Sequence, residues 1–400
     1  MMAHSSGFRP TRSQSFGSGD EVSEPSCGRC PVCDQSQSRF LAEIDGYNYF
    51  RCEACESLHI DTETLAAIDA GESTRVYDEA YWAEELRAAR QRAAGESLVR
   101  AGEAILYARR PIKRFLDVGT GPGYLLDQLA DHFPAQADVF HGVELFPPEE
   151  HSRHPNYRVG SVGDLDGVFD VGVCIEVVEH LTPRMLSNLA GELAGISAPG
   201  SLWFFNTGMP DLVLNHDPGY LDPLNRGHIV SYGLKGVEYL FAPHGFRISA
   251  LPGKNYAWVA EFAVDGGWVP FADRIWAPLS ENKTMLEASG LVYQAAFASA
   301  RAGLFEEQMV QRSTWALSLD AELEKARNRY AELQGISGDA LKKRVDPPLH
   351  DPVGLMAELE TLNSMLREVW ADRELILHSR TWRWSRPLRV VLGWLRHRGG

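Results

Sequence analysis

The segment from Arg114 to Ala130 constrains the fold more than any other. Arg114-Phe-Leu-Asp-Val118 is a short strand pattern, Gly119-Thr-Gly-Pro-Gly123 follows at once, and Tyr124-Leu-Leu-Asp-Gln-Leu-Ala130 has helical character. Strand, glycine turn and helix in this order give a glycine-rich motif its meaning as a nucleotide cradle. Gly119 and Gly121 let the backbone turn sharply and approach a ligand closely. The helix start adds N–H donors without partners, and Pro122 is expected in its first turn.

Alone, this turn suits a dinucleotide equally well. Three later features narrow the choice. Val139-Phe-His-Gly-Val-Glu144 is a second strand ending in an acid, which can accept both ribose hydroxyls. Gly160-Ser-Val-Gly-Asp164 sets a further acid after a third apolar run, within reach of an adenine amino group. Phe169-Asp-Val-Gly-Val-Cys-Ile175 is a fourth strand opening onto Glu176-Val-Val-Glu179-His180-Leu181. Short apolar runs alternate with helical stretches over residues 112–262, which predicts an α/β unit with a mainly parallel sheet.

On LDVGTGPG, GVE, GDL and FDVGVCIEVVEHL, the sequence resembles class I S-adenosylmethionine-dependent methyltransferases. The resemblance implies a Rossmann-like fold with a mainly parallel seven-stranded sheet. It places Asp117, Gly119 and Gly121 around the methionine portion, Glu144 on the ribose, and Asp164 with Val162 or Leu165 beside the adenine. Thr120, Gly123 and Glu176 complete the expected cofactor site. A nicotinamide dehydrogenase is the main rival, but Tyr124 stands where its third glycine should be.

Cys30-Pro-Val-Cys33 and Cys52-Glu-Ala-Cys55, eighteen residues apart, have zinc-ligand spacing. Four thiolates can surround one structural Zn2+. Arg39–Ile44 and Tyr47–Arg51 read as hairpin arms about Asp45-Gly46, a zinc ribbon. Cys27 offers a second register; the proline after Cys30 favours Cys30/Cys33. The ribbon is read mainly as a staple for a module too small to bury its own core. Its position before this core also resembles bacterial methyltransferases acting on sugars and surface polysaccharides.

The acceptor side follows the fifth strand, Leu202–Thr207. The segment Gly219–Tyr232 resembles the H-x-x-x-[FY]-S region of sugar-modifying methyltransferases, where a histidine can be the general base. Here the order is His228-Ile-Val-Ser-Tyr232, with Arg226-Gly227 in place of the acid often preceding that histidine. His228 and His180 are the catalytic candidates, since a histidine titrates near neutrality; Glu176 and Glu179 are weaker ones.

Net charge is -15, which argues against general nucleic-acid binding. No run approaches the ~18 apolar residues of a membrane span, and the N-terminus has no apolar signal core, so the expected location is cytoplasmic. The expected organisation is a disordered N-terminus (1–25), zinc ribbon (26–60), methyltransferase domain (75–265), helical or coiled-coil hairpin extension (300–378) and basic aromatic tail (379–400). The hairpin rests on two apolar stripes, Ala316 to Leu333 and Leu355 to Val369, and would suit a homo-oligomer. The tail carries arginines at 380, 383, 386, 389, 396 and 398, suits an anionic membrane surface, and resembles tails of polysaccharide-biosynthesis enzymes.

The expected activity is methyl transfer to a small molecule, foremost a sugar or glycan precursor. The alternatives are a non-catalytic zinc-ribbon scaffold with a degenerate methyltransferase fold, and a tRNA or protein methyltransferase.

Overall fold

The computed structural model describes residues 28–74, 79–264 and 268–335. Cys27, the stripe from Leu355 to Val369 and the basic tail lie outside the described residues. The described residues up to Ala300 belong to one compact unit and those from Arg301 on to a second.

The chain opens with β1 (Ser38–Ile44), β2 (Tyr47–Cys52) and β3 (Leu58–Ile60). The β1–β2 hairpin turns at Asp45 and Gly46, both at positive φ. There follow α1 (Thr62–Asp69), capped by the Asp61 carboxylate, then α2 (Glu79–Arg92) and α3 (Leu98–Tyr107), joined through a π-turn at Ala93–Ser97.

The remaining elements of the first unit alternate. They are β4 (Phe115–Val118), α4 (Tyr124–His132), β5 (Phe140–Glu144), β6 (Tyr157–Val159), β7 (Phe169–Ile175), α5 (Pro183–Gly195), β8 (Ser197–Asn206) and α6 (Pro210–Asn215). Then come β9 (Val230–Ser231), α7 (Leu234–Phe241), β10 (Phe246–Ala250) and β11 (Ala257–Phe262). After β11 come α8 (Phe271–Trp276), α9 (Ser280–Glu287) and α10 (Gly290–Gly335).

Seven strands form the main sheet in the order β10-β11-β8-β7-β4-β5-β6. The run from β8 to β6 is parallel, and β11 is antiparallel to both β8 and β10. This is the expected seven-stranded class I sheet. β7 is buried along nearly its whole length, as a central parallel strand covered on both faces must be. At Gly172 a Cβ would stand 2.4 Å from the Trp203 ring and 2.6 Å from the Leu116 carbonyl, so the close approach of three strands excludes any side chain there. Strand order reverses at β4 and β7, and in open α/β sheets a ligand binds beyond the strand ends at such a switch.

A second sheet has the order β1-β2-β3-β9. Its last strand comes from residues 230–231, so the cysteine module and the chain after β8 share one sheet. Leu58 pairs with Ser231 and His59 with Val230, and the Gly233 N–H donates to the Ser57 hydroxyl at 3.0 Å.

Two buried ion pairs tie the helices on. Lys254 Nζ meets Glu103 of α3 at 2.7 Å, and Arg274 of α8 grips Glu261 of β11 at 2.7 and 2.9 Å. Within the second unit Ala316, Leu319 and Leu323 are buried at steps of three and four, matching the first expected stripe. The helix carrying them begins at Gly290.

Candidate functional site

The glycine turn sits on the carboxyl end of β4. Gly119, Gly121 and Gly123 have φ of +68°, +55° and +79°, the left-handed region that glycine tolerates. A Cβ at Gly119 would also lie 2.6 Å from a Val177 methyl. Gly123 is the left-handed N-cap of α4, which starts at Tyr124, where the helical pattern of the sequence starts. Pro122 therefore precedes the helix instead of occupying its first turn.

Glu144, ending β5, accepts from the Gly121 N–H at 2.7 Å and from the Phe146 N–H at 2.9 Å. It is half-buried, and exposed Leu145 and Phe146 follow it. Asp117 lies beneath the loop and accepts from the Thr120 hydroxyl at 2.7 Å. Burial pushes its carboxyl up to about 7 against the pull of that hydroxyl, with the Glu144 charge adding to the rise. Thr120 is thus turned inward, and its side chain also packs over Gly142.

Asp164 is exposed in a turn after β6. One of its oxygens accepts from the Ser161 N–H and hydroxyl at 2.7 and 2.8 Å, which holds its carboxyl below the usual range. Val162 beside it is buried and Leu165 half-buried. Glu176 follows β7 at φ +56° and accepts from the Asn206 side-chain amide. Burial pushes its carboxyl up to about 8, the Glu179 charge adds to this, and Arg100 and Arg92 oppose it.

Since β7, β4, β5 and β6 are neighbours in that order, Glu176, the glycine turn, Glu144 and Asp164 form a row along one sheet edge. Three inter-strand spacings make that row roughly 14 Å long. The sequence-expected cofactor residues are brought together there, with Asp117 and Thr120 facing under the turn.

Beyond the β7 end of this row lie Glu179, His180 and His228. The Ile229 N–H donates to the Glu179 carbonyl at 2.9 Å, bringing the distant histidine segment to the end of β7. His228 Nδ1 meets the Tyr220 carbonyl at 2.7 Å, and His180 Nδ1 meets the Gly227 carbonyl at 3.0 Å. A carbonyl only accepts, so each Nδ1 carries the hydrogen and Nε2 is the basic nitrogen of each neutral ring. His228 Nε2 stands 3.8 Å from Glu179 Oε1, and the two imidazoles are edge to face at 5.0 Å. Burial pushes the Glu179 carboxyl up to about 7, opposed by its own backbone and by the Thr207 and Tyr220 hydroxyls.

Thr207 and Tyr220 went unnoticed as site residues in the sequence. The Tyr220 hydroxyl accepts from the Gly208 N–H at 2.7 Å and lies 3.2 Å from the Thr207 hydroxyl, closing the β8 end over Glu179. The available signal was that both stand inside segments already marked as the acceptor side.

The four thiols also converge. Cys30 and Cys55 Sγ are 3.7 Å apart, as are Cys33 and Cys52, and all four lie within 4.8 Å of one another. Tetrahedral zinc with bonds of about 2.3 Å needs sulfur spacings of about 3.8 Å. Backbone N–H groups of Val32 and Cys55 point at Cys30 and Cys52 Sγ, at 3.4 and 3.5 Å, as they do toward thiolates in a zinc knuckle. This donor set fits a zinc ion. Cys174 is buried in β7, away from the cluster.

Residues 80–251 match the family model described as a methyltransferase domain. These residues form a methyltransferase domain. Solved structures similar to this methyltransferase include DesVI of Streptomyces venezuelae (16% identity, TM-score 0.34, covering 47% of this chain and 100% of that one). Another is CalS10, an amino pentose methyltransferase of Micromonospora echinaspora (20% identity, TM-score 0.36, covering 46% and 98%). A third is the sugar N-methyltransferase KedS8 of Streptoalloteichus sp. ATCC 53650 (14% identity, TM-score 0.36, covering 45% and 92%). At these scores none of them speaks to the acceptor. No curated protein sequence matches the methyltransferase. Among the described residues no helix is long and apolar enough to cross a membrane.

Proposed function

We propose that this methyltransferase acts on a sugar or glycan precursor, with the cofactor along the β7-β4-β5-β6 edge and the acceptor at Glu179, His180 and His228. The observation that carries the cofactor placement is the row itself. Asp117, Glu144 and Glu176 crowd the strand ends; burial raises Asp117 and Glu176, with the charge of Glu144 adding at the first and that of Glu179 at the second. A cationic ligand relieves that repulsion. Asp117, Gly119 and Gly121 hold its methionine part, Glu144 its ribose, and Asp164 with Leu165 borders its adenine; Thr120 and Gly123 shape the turn. S-adenosylmethionine, when bound, supplies the electrophilic methyl group.

The chain then has to align the acceptor and remove one proton. His228 is the base in this reading, at the junction of the β7 and β8 ends. His180, held to the Gly227 carbonyl, orders the loop before it. The sugar acceptor is supported by the likeness of the Gly219–Tyr232 segment to sugar-modifying enzymes. Cys30, Cys33, Cys52 and Cys55 hold a structural zinc. The C-terminal tail is proposed to touch an anionic membrane surface from the cytoplasmic side, and the C-terminal helices to pair two copies.

Calorimetric titration with S-adenosylhomocysteine tests the centre of this reading. Binding close to one per chain is expected; none to the wild-type protein would sink it.

A further inference from the structure

Glu179 is the most anomalous group in the acceptor region. Its side chain is fully buried, and the Thr207 and Tyr220 hydroxyls that face it do so without a hydrogen bond of ordinary geometry to either oxygen. A buried carboxylate so weakly hydrogen-bonded is costly unless a positive charge answers it. Nε2 of His228, itself almost buried, stands 3.8 Å from Glu179 Oε1.

That distance exceeds a hydrogen bond, so the two groups face one another across a short gap. Nδ1 of His228 is committed to the Tyr220 carbonyl and carries a hydrogen. A proton reaching the ring can therefore arrive only at Nε2, the nitrogen that faces the carboxylate.

We propose that Glu179 is a positioning residue for His228, its buried carboxylate stabilising the imidazolium that forms when Nε2 takes the acceptor's proton. This deepens the reading of His228 as base and rests on it. The step balances simply. The acceptor X–H bond breaks, its electron pair stays on X, and a new N–H bond forms at Nε2. Glu179 remains anionic, the pair changes from net -1 to neutral, and the proton later leaves to water. A fixed carboxylate facing an imidazole is worth most where water is excluded.

Other groups facing the pair modulate it. Glu176 adds negative charge from the same loop, and Arg100 and Arg92 offset that charge. His180 stacks edge-on against His228, and Tyr220 packs on its other side with ring centroids 4.4 Å apart. Cys174 lies beneath in β7, its thiol pushed up by burial and by the Glu179 charge.

The test uses the full chain with isotope-labelled histidine, the His228 resonance being assigned from its loss in H228N. Removing the opposite charge disfavours the imidazolium. E179Q should therefore lower the proton affinity of His228 about tenfold or more, while E179D keeps part of it. S-adenosylhomocysteine affinity should be nearly unchanged in both. An unchanged His228 titration in E179Q, with ligand binding intact, overturns the proposal and leaves the cofactor placement standing. Loss of ligand binding by the wild-type chain would instead defeat the underlying reading. If E179Q does not fold, E179D decides: a His228 titration identical to wild type overturns the proposal.

Discussion

The Tyr49 hydroxyl donates to the backbone carbonyl of His228 at 2.8 Å, so a strand of the cysteine module holds the residue proposed as base. Tyr49 is fully buried, and burial pushes its hydroxyl well above the ordinary tyrosine range, keeping it a donor. Replacing it with phenylalanine leaves that carbonyl without its buried partner. Y49F should lose about 1–3 kcal/mol in denaturant unfolding and keep its S-adenosylhomocysteine affinity. An unfolding curve superimposable on wild type would show that the contact contributes nothing.

The metal makes a second test. Purified protein should carry about one zinc per chain by elemental analysis. Cys27→Ser should retain it, and Cys33→Ser should lose it and melt at lower temperature. Full zinc in the Cys33 variant would mean that another thiol completes the set.

The glycine turn makes the third. Gly119→Leu puts a side chain into a left-handed position 2.6 Å from a Val177 methyl, and should abolish S-adenosylhomocysteine binding in calorimetry. Glu144→Ala should weaken binding without abolishing it. It removes the acceptor for the Gly121 N–H as well as the proposed ribose contact. Equal affinities across the three proteins would place the ligand elsewhere.

A fourth concerns pH. Glu176 and Glu179 are raised from 4.5 to about 8 and about 7, first by burial. A carboxyl whose folded pKa is raised binds more protons folded than unfolded. Its contribution to stability is full below the unfolded value and is lost as pH rises through the folded one. Unliganded protein should therefore lose part of its stability between about pH 4.5 and pH 8. Glu176→Gln should flatten that decline. A steeper decline in the variant, followed by thermal unfolding across this range, would reverse the assigned sign.

Much of this was legible in the sequence because it is local. The glycine turn, the acid ending β5 and the apolar run of β7 each announce themselves within a few residues, and the cysteine spacing encodes its own geometry. Pro122 was expected in the first turn of α4 but precedes it, because the left-handed turn at Gly123 is a three-dimensional decision. Glu179 and His228 were each marked separately, but nothing local says that Ile229 hydrogen-bonds to the end of β7. The two-residue strand β9 is shorter than any periodicity, and its pairing with β3 is a long-range event. Thr207 and Tyr220 look like ordinary loop residues until they close over a buried carboxylate.

The sheet shared by β3 and β9 also bears on how the protein can be cut. A chain trimmed just after Ile60 would not release an intact catalytic body. It would strip β9 of its partner, leave the Ile229 carbonyl without the Ile60 N–H, and open the face of α7 that packs on Cys55 and Val32. A bare strand edge beside newly exposed apolar surface is an invitation to pair with another chain. Such a fragment should be prone to aggregation, however complete its glycine turn.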